Sequence, residues 1–405
     1  MRTHYGISPW IDQLAGSRRP EYSRLRGAQT AQVAIVGGGL TGCLTAYACA
    51  VAGIKVVLIE GDRVGHGASA RVAGLLLAEP GPSFRDVEKL HGVRTARTVF
   101  ESWRHASLDG AALLKRLKIK CALQPLDDLL VSTRDEEKGL RREFEARSKA
   151  GLDVAWASST QLRKMAAPES AGAIRVADAT AVDPYRACLG LAAAAASRGA
   201  IVVERSHVRS VKFGRRDVEI VAEGGSVRAE TVVVTTGTAT SEFKPLRRHF
   251  NRRERYLVLT EPMPGAVRKG FGDRNVTFAT TRRPPHRVRW TQDDRILIAG
   301  AEQDETPERR KAAVLVQRTG QLMYELLTMF PEISGLVPEY GWEAVSGETA
   351  DGLPYIGPHR NYPRHLFALG SGGDSVTGAF LAARLLVRAL RDAPAKEDGM
   401  WGFTR

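Results

Sequence analysis

The 405 residues predict an α/β protein in which a Rossmann-type dinucleotide fold is interleaved with a second, α+β domain built on an antiparallel sheet. Three observations carry this expectation. Near the N-terminus a strand, a glycine turn, a helix and a second strand follow one another. Near the C-terminus a second glycine loop feeds a second helix. Between them lie two long excursions of helical periodicity and alternating strands.

The first unit opens with the apolar run Val33-Ala34-Ile35-Val36 and turns at Gly37-Gly38-Gly39-Leu40-Thr41-Gly42. It continues as a helix over 40–52, stopped by Gly53, and closes on Val56-Val57-Leu58-Ile59-Glu60. Gly37 permits the tight turn, Gly39 lets the backbone approach a pyrophosphate, and Gly42 lets the helix pack closely on the strand. The helix N-terminus then points its free N–H groups at the phosphates. Glu60, at the end of the second strand, can accept ribose hydroxyls and would repel a 2′-phosphate, so FAD or NAD fits better than NADP. A glycine-rich turn alone is a weak signal; the flanking strands, the helix stop and the terminal acid strengthen it. The following stretch, with Gly67-Ala68-Ser69, Arg71 and Gly74, is dense in small residues, as backbone pressed against a ligand would be.

Residues 86–118 and 136–149 carry helical periodicity around a short strand at Leu129-Leu130-Val131. Asp183-Pro184 opens a helix through 197, with proline at the first helical position, and Gly199 ends it. Strands follow at 200–203, 208–213, 218–222 and 231–237, the last finishing on Thr236-Gly237. A second excursion brings strands at 256–260, 287–291 and 295–299 and a helix over 308–330. The strand 365–369 then leads into Gly370-Ser371-Gly372-Gly373-Asp374-Ser375-Val376 and a last helix to about 390. On this reading the dinucleotide domain comprises 28–85, 178–240 and 345–392, and the second domain 86–177 and 241–344. Residues 1–27 are an N-terminal extension and 393–405 a C-terminal tail.

A hydrophobic fraction of 43% is ordinary for a globular enzyme. The chain contains no apolar run of membrane-spanning length and no signal-peptide core at its start, so a cytoplasmic location is expected. Cys43, Cys49, Cys121 and Cys188 are scattered, with no C-x-x-C pair, and read as buried free thiols. Lys and Arg outnumber Asp and Glu 59 to 45, a formal charge of +14. Such a balance suits an acidic substrate, RNA or anionic lipid, or simply a solvated basic face. No aromatic-interleaved basic segment accompanies it, so nucleic acid is not expected.

Taken in order, several motifs resemble those of the D-amino acid oxidase-like family of FAD-dependent oxidoreductases, which includes glycine oxidase, sarcosine oxidase and gamma-glutamylputrescine oxidoreductase. They are the Gly37–Gly42 turn, Gly67-Ala68-Ser69 with Arg71 and Gly74, Val182-Asp183-Pro184, Thr236-Gly237, Thr260-Glu261-Pro262, and Asp351-Gly352-Leu353-Pro354-Tyr355-Ile356-Gly357. The resemblance spans nearly the whole chain. It implies that residues 36–74 hold ADP and ribityl, that Val208 meets the adenine through its backbone, and that Thr236 and Gly237 lie at the cofactor. It further implies that Gly370, Gly372, Gly373, Asp374, Ser375 and Val376 meet the flavin ring. A helix N-terminus there would stabilise negative charge on the flavin pyrimidine edge, while Asp374 is also suited to capping the last helix.

The activity implied is removal of a hydride from a carbon bearing an amine, giving an imine that water hydrolyses. The substrate is a small amine or amino acid, anionic if the arginines meet it. By the same resemblance Arg289, on the strand 287–290, is the first candidate for a carboxylate clamp, the alternative being a salt-bridged strand arginine. Tyr256 is a second substrate contact or a strand-packing residue, and His286 a polar contact or a solvated turn residue. Arg71 lies by the flavin or forms an ion pair at a sheet edge. The chain departs from the family at three places. Ser346 stands where sarcosine oxidases carry a flavin-linking cysteine, which implies non-covalent FAD. Val72 replaces an asparagine. No lysine occurs between Lys269 and Lys311, which puts oxidase activity in doubt and leaves room for an electron-accepting partner protein. The other readings are an RNA-associated flavoprotein, the flavin subunit of a heteromeric amine dehydrogenase and, last, a plain NAD dehydrogenase.

Overall fold

The computed structural model describes residues 3–132, 136–371, 373 and 376–405. Among them two sheets organise the chain. The first has eight strands, in the order Tyr355–His359, Tyr362–Leu369, Gly225–Gly237, Gly27–Val36, Val56–Ile59 and Ile201–Val203, with Val208–Phe213 and Val218–Ala222 attached beside Gly225–Gly237. From Tyr362–Leu369 to Ile201–Val203 the pairing is parallel, with Val36 level with both Ile59 and Val234. The apolar strands that flank the glycine turn form this centre, and Ala34, Ile35, Leu58 and Val233 are fully buried.

One face of this sheet is covered by the helices Leu40–Val51, Pro184–Ala196 and Thr377–Leu390, which share a core with Val93–Arg116. Asp183 caps the helix Pro184–Ala196 by accepting from the Arg186 N–H at 2.9 Å. Cys43, Cys49, Cys121 and Cys188 are free and buried in the helical layer, and burial raises the Cys49 and Cys121 thiols to about 12, where they are inert.

The second sheet has ten strands among the described residues. Its order is His4–Tyr5, Pro338–Glu348, Asn251–Thr260, Ile296–Asp304, Arg287–Trp290, Val276–Thr280, Gln124–Val131, Gly172–Ala181 and Leu75–Leu76, with Ala155–Ser158 beside Gly172–Ala181. Most pairs are antiparallel, as expected, but His4–Tyr5 and the pair Val276–Thr280 with Gln124–Val131 run parallel. The helix Lys311–Met329 packs on one face with Tyr256, Val258, Val288 and Trp290. The other face, with Leu257, Leu259, Leu297 and Trp342, packs on Ala73, Leu75 and Leu77 just after the small-residue loop.

Two stretches behave differently from the sequence reading. The N-terminal extension is built into the second sheet through His4–Tyr5. The C-terminal tail is docked: Trp401 is 1% exposed against Trp103, and Arg405 pairs with Asp351 at 2.7 Å. Short-range periodicity could not reveal either, because each segment finds its partners far away in the chain. Among the described residues no helix is long and apolar enough to cross a membrane.

Candidate active site

The first glycine turn closes where the parallel strands end. Gly37 takes φ +108°, open to glycine alone, and donates to the Ile59 carbonyl at 2.9 Å. A methyl on Gly42 would stand 1.9 Å from the Gly37 carbonyl oxygen, and one on Gly37 would stand 2.8 Å from that of Thr235. The helix therefore begins as close to the turn as a backbone can lie, with Gly39 as an N-cap that offers no side chain. The Leu40 amide is met at 2.8 Å by the Ser69 hydroxyl, which brings the Gly67-Ala68-Ser69 turn onto the helix N-terminus beside Thr41. Glu60 accepts from the amides of Gly38 at 2.6 Å and Asp62 at 2.8 Å, and burial raises its carboxyl above the usual range. Alongside it runs the segment leading to Val208, with Ser206 N–H donating to the Glu60 carbonyl at 2.9 Å.

The second glycine loop arrives at the same edge of the sheet. Strand Gly225–Gly237 lies next to Gly27–Val36, and Thr235 donates its hydroxyl to the Gly37 carbonyl at 2.9 Å. After Thr236, the Gly237 carbonyl accepts from the Gly370 amide at 2.9 Å, and the Val376 amide donates to the Leu75 carbonyl at 2.8 Å. The loop thus leaves beside the first cradle, runs through Gly373, and ends at the strand after the small-residue stretch. Gly372, Asp374 and Ser375 lie outside the described residues.

Three of the four polar candidates divide between the two faces of the second sheet, and Arg71 stands in the stretch before Leu75–Leu76. Arg289 is on the face toward the dinucleotide fold. It is 6% exposed, its guanidinium donates to the Gly74 carbonyl and lies 5.2 Å from the centre of the Trp10 ring. Burial lowers its pKa to about 10, and among the described residues it has no ion pair, so the expectation of a salt-bridged strand arginine does not hold. Arg71 pairs with Glu343 at 2.9 Å on the strand Pro338–Glu348, which is the ion-pair alternative.

Tyr256 and His286 are on the opposite, helix-covered side, and the structure does not bring them to Arg289. The Tyr256 hydroxyl donates to Glu254 at 2.7 Å and meets Thr306 at 3.1 Å, and burial raises its pKa. His286 meets Glu325 of the helix Lys311–Met329 at 2.7 Å and is 6% exposed, so it is not a solvated turn residue. Both corrections have one cause: side chains alternate along a strand, and residues level with Leu257 and Arg289 point away from those beside them.

That alternation exposes residues the sequence reading missed. Arg253 and Arg255 share the face of Leu257, and both hold Glu302, at 3.3 and 3.0 Å. Glu348, on the neighbouring strand, hydrogen-bonds Glu302; burial and that carboxylate push its pKa up to about 7. The next residues reach the second glycine loop, since Gly370 packs against Thr349 and Phe250. A period-two reading of Arg253-Glu254-Arg255-Tyr256-Leu257 contains the clue, but only the covered face says which alternate set matters.

The cradle suits a dinucleotide, and the second loop begins beside it at the Gly237–Gly370 contact. The chain's residues 32–389 match the family model described as FAD dependent oxidoreductase. The chain belongs to that family. FAD is accordingly its cofactor. The chain is 25% identical to gamma-glutamylputrescine oxidoreductase of Escherichia coli, over 93% of this chain and 87% of that protein. It is 24% identical to glycine oxidase of Bacillus licheniformis, over 91% and 95%. Among solved structures, glycine oxidase from Geobacillus kaustophilus superposes with a TM-score of 0.78 at 20% identity, covering 93% of this chain and 99% of that one. This FAD-dependent oxidoreductase therefore shares the fold of that glycine oxidase. Among the described residues no cluster of His, Cys, Asp and Glu is placed to hold a metal.

Proposed function

We propose that this FAD-dependent oxidoreductase oxidises the C–N bond of a small amine or amino acid and holds its FAD without a covalent link. The observation that carries the reading is the convergence of two glycine loops, from opposite ends of the chain, on one sheet edge. FAD bound there supplies the acceptor for two electrons. The chain's own part is to seat the diphosphate on the helix N-terminus at Leu40, hold ribose at Glu60, and present charged side chains to a zwitterionic or ionic substrate. The two named relatives support the substrate class, since their names carry gamma-glutamylputrescine and glycine. Non-covalent binding is supported by Ser346 on the strand Pro338–Glu348 and by four cysteines that are all buried as free thiols.

The test is anaerobic mixing of the yellow protein with a panel of amines and amino acids. Bleaching of the visible flavin band by at least one is expected. If dithionite bleaches the band and no amine does, the reading fails. The absence of lysine between Lys269 and Lys311 supports electron transfer to a partner over direct reaction with dioxygen. Steady turnover in air by the isolated chain would remove that second part.

A further inference from the structure

Residues 71–74 join the Ala68–Ala70 turn to the strand Leu75–Leu76 and are held through their backbone by side chains from three remote elements. The Arg71 carbonyl accepts from Trp342 Nε1 at 2.9 Å, the Val72 carbonyl from Trp10 Nε1 at 3.0 Å, and the Gly74 carbonyl from the Arg289 guanidinium. The last two donors also meet each other, the guanidinium lying over the Trp10 ring. Space around the stretch is full: a methyl on Gly74, at φ +72°, would stand 2.3 Å from the Val182 carbonyl oxygen and 3.3 Å from Arg289 Nη1.

Trp10 sits in a segment that spans both sheets. At one end Thr3 donates to the Pro338 carbonyl at 2.9 Å, His4–Tyr5 adds a strand, and Asp12 accepts from Tyr340 at 2.9 Å. At the other, the Leu25 amide donates to Ser206 at 2.9 Å, and Arg205 donates to the Tyr22 carbonyl at 3.1 Å. There Glu204 accepts at 3.3 Å from the Tyr22 amide and at 2.7 Å from that of Val64, so the segment also borders the stretch after Glu60.

We infer that Arg289 and Trp10 are positioning residues that hold the flavin-side stretch 71–74, and that residues 3–26 are a fixed strap across the cofactor site. This rests on the reading that residues 67–74 lie against FAD. A buried arginine with no anion within ion-pair distance among the described residues is costly, and here the Gly74 carbonyl and the Trp10 ring offset part of that cost while Nε has no hydrogen-bond partner among them. A carbonyl fixed by a cationic donor also holds its peptide more firmly than one left to water. The guanidinium in this arrangement serves the loop and not a substrate carboxylate.

Three variants test it: Arg289→Met, which keeps bulk and loses the donors; Arg289→Lys, which keeps charge; and Trp10→Phe, which keeps the ring and loses the N–H. The readouts are the FAD dissociation constant, the visible circular dichroism of bound flavin, and thermal unfolding of the apoprotein. Arg289→Met is expected to weaken FAD binding about tenfold or more, the loss of one charge-assisted hydrogen bond, and to change the flavin spectrum. Trp10→Phe is expected to move both in the same direction by less, and Arg289→Lys to recover part of the loss. Unchanged FAD affinity and spectrum in Arg289→Met overturns the inference, whether or not apoprotein stability falls. Should that variant not fold, wild-type affinity and spectrum in both Arg289→Lys and Trp10→Phe overturn it equally. Wild-type protein that binds no FAD would instead sink the reading on which it rests.

Discussion

At the residue scale the tightest constraint in the cradle is Gly42. A single methyl there meets the Gly37 carbonyl oxygen at 1.9 Å, and the helix can relieve the clash only by withdrawing from the turn proposed to seat the phosphates. Gly42→Ala is expected to leave the purified protein with about a tenth of its flavin or less, since loss of one or two phosphate-facing bonds is worth that much. The ratio of visible to ultraviolet absorbance reads it. Glu348 offers a pH test. Its carboxyl, raised from 4.5 to about 7 by burial and by Glu302, is favoured in the protonated form by the fold. The unfolded chain loses that proton near 4.5 and the folded chain near 7, so the pair is little penalised at pH 5 and costs stability increasingly as the pH rises toward 7. Glu348→Gln, which mimics the protonated side chain, should therefore melt close to the wild type at pH 5 and above it at pH 8. The gain expected is about 1 kcal/mol, well below the full linkage because the carboxyl is partly solvated. An equal difference at both pH values would show that the proton is not involved.

At the element scale the strand Asn251–Thr260 decides the most. Its alternation puts Arg253, Arg255, Leu257 and Leu259 on the face that packs on Ala73, Leu75 and Leu77, and Glu254, Tyr256 and Val258 on the face under the helix Lys311–Met329. Tyr256→Phe is thus expected to act on stability and not on catalysis. It removes a donor from Glu254, which is 1% exposed with Oε1 already unpartnered among the described residues, at a cost of about 1–3 kcal/mol. Denaturant unfolding should detect the loss, with kcat/KM for the amine unchanged. A large drop in kcat/KM with stability intact would return Tyr256 to the substrate.

At the scale of the whole molecule, the proposed cofactor site joins segments far apart in the chain: the turn at Gly37, the stretch before Val208 and the loop after Leu369. Excess FAD should raise the melting temperature of apoprotein by simple linkage, about 2.7 kcal/mol at a hundredfold excess over its dissociation constant. Thermal scans with and without FAD measure it, and no shift would mean that the loops do not act on one ligand. The dinucleotide cradle is legible in the amino-acid sequence because its constraints are local. Gly37, Gly39, Gly42 and Glu60 fall within one βαβ unit of about 30 residues, where turn geometry and strand length set their placement. The buried cysteines and the parallel apolar strands are legible for the same reason. Strand periodicity assigns neighbours to opposite faces but is silent on which face a helix will cover. That is why Arg289, Tyr256 and His286 look alike in the sequence and part company in the fold. The amino-acid sequence by itself determined the strand–turn–helix–strand cradle of a dinucleotide and the glycines that shape it. Only tertiary packing decided which face of the second sheet each arginine takes and which carbonyls Arg289 and Trp10 hold, because those contacts join residues separated by long stretches of chain.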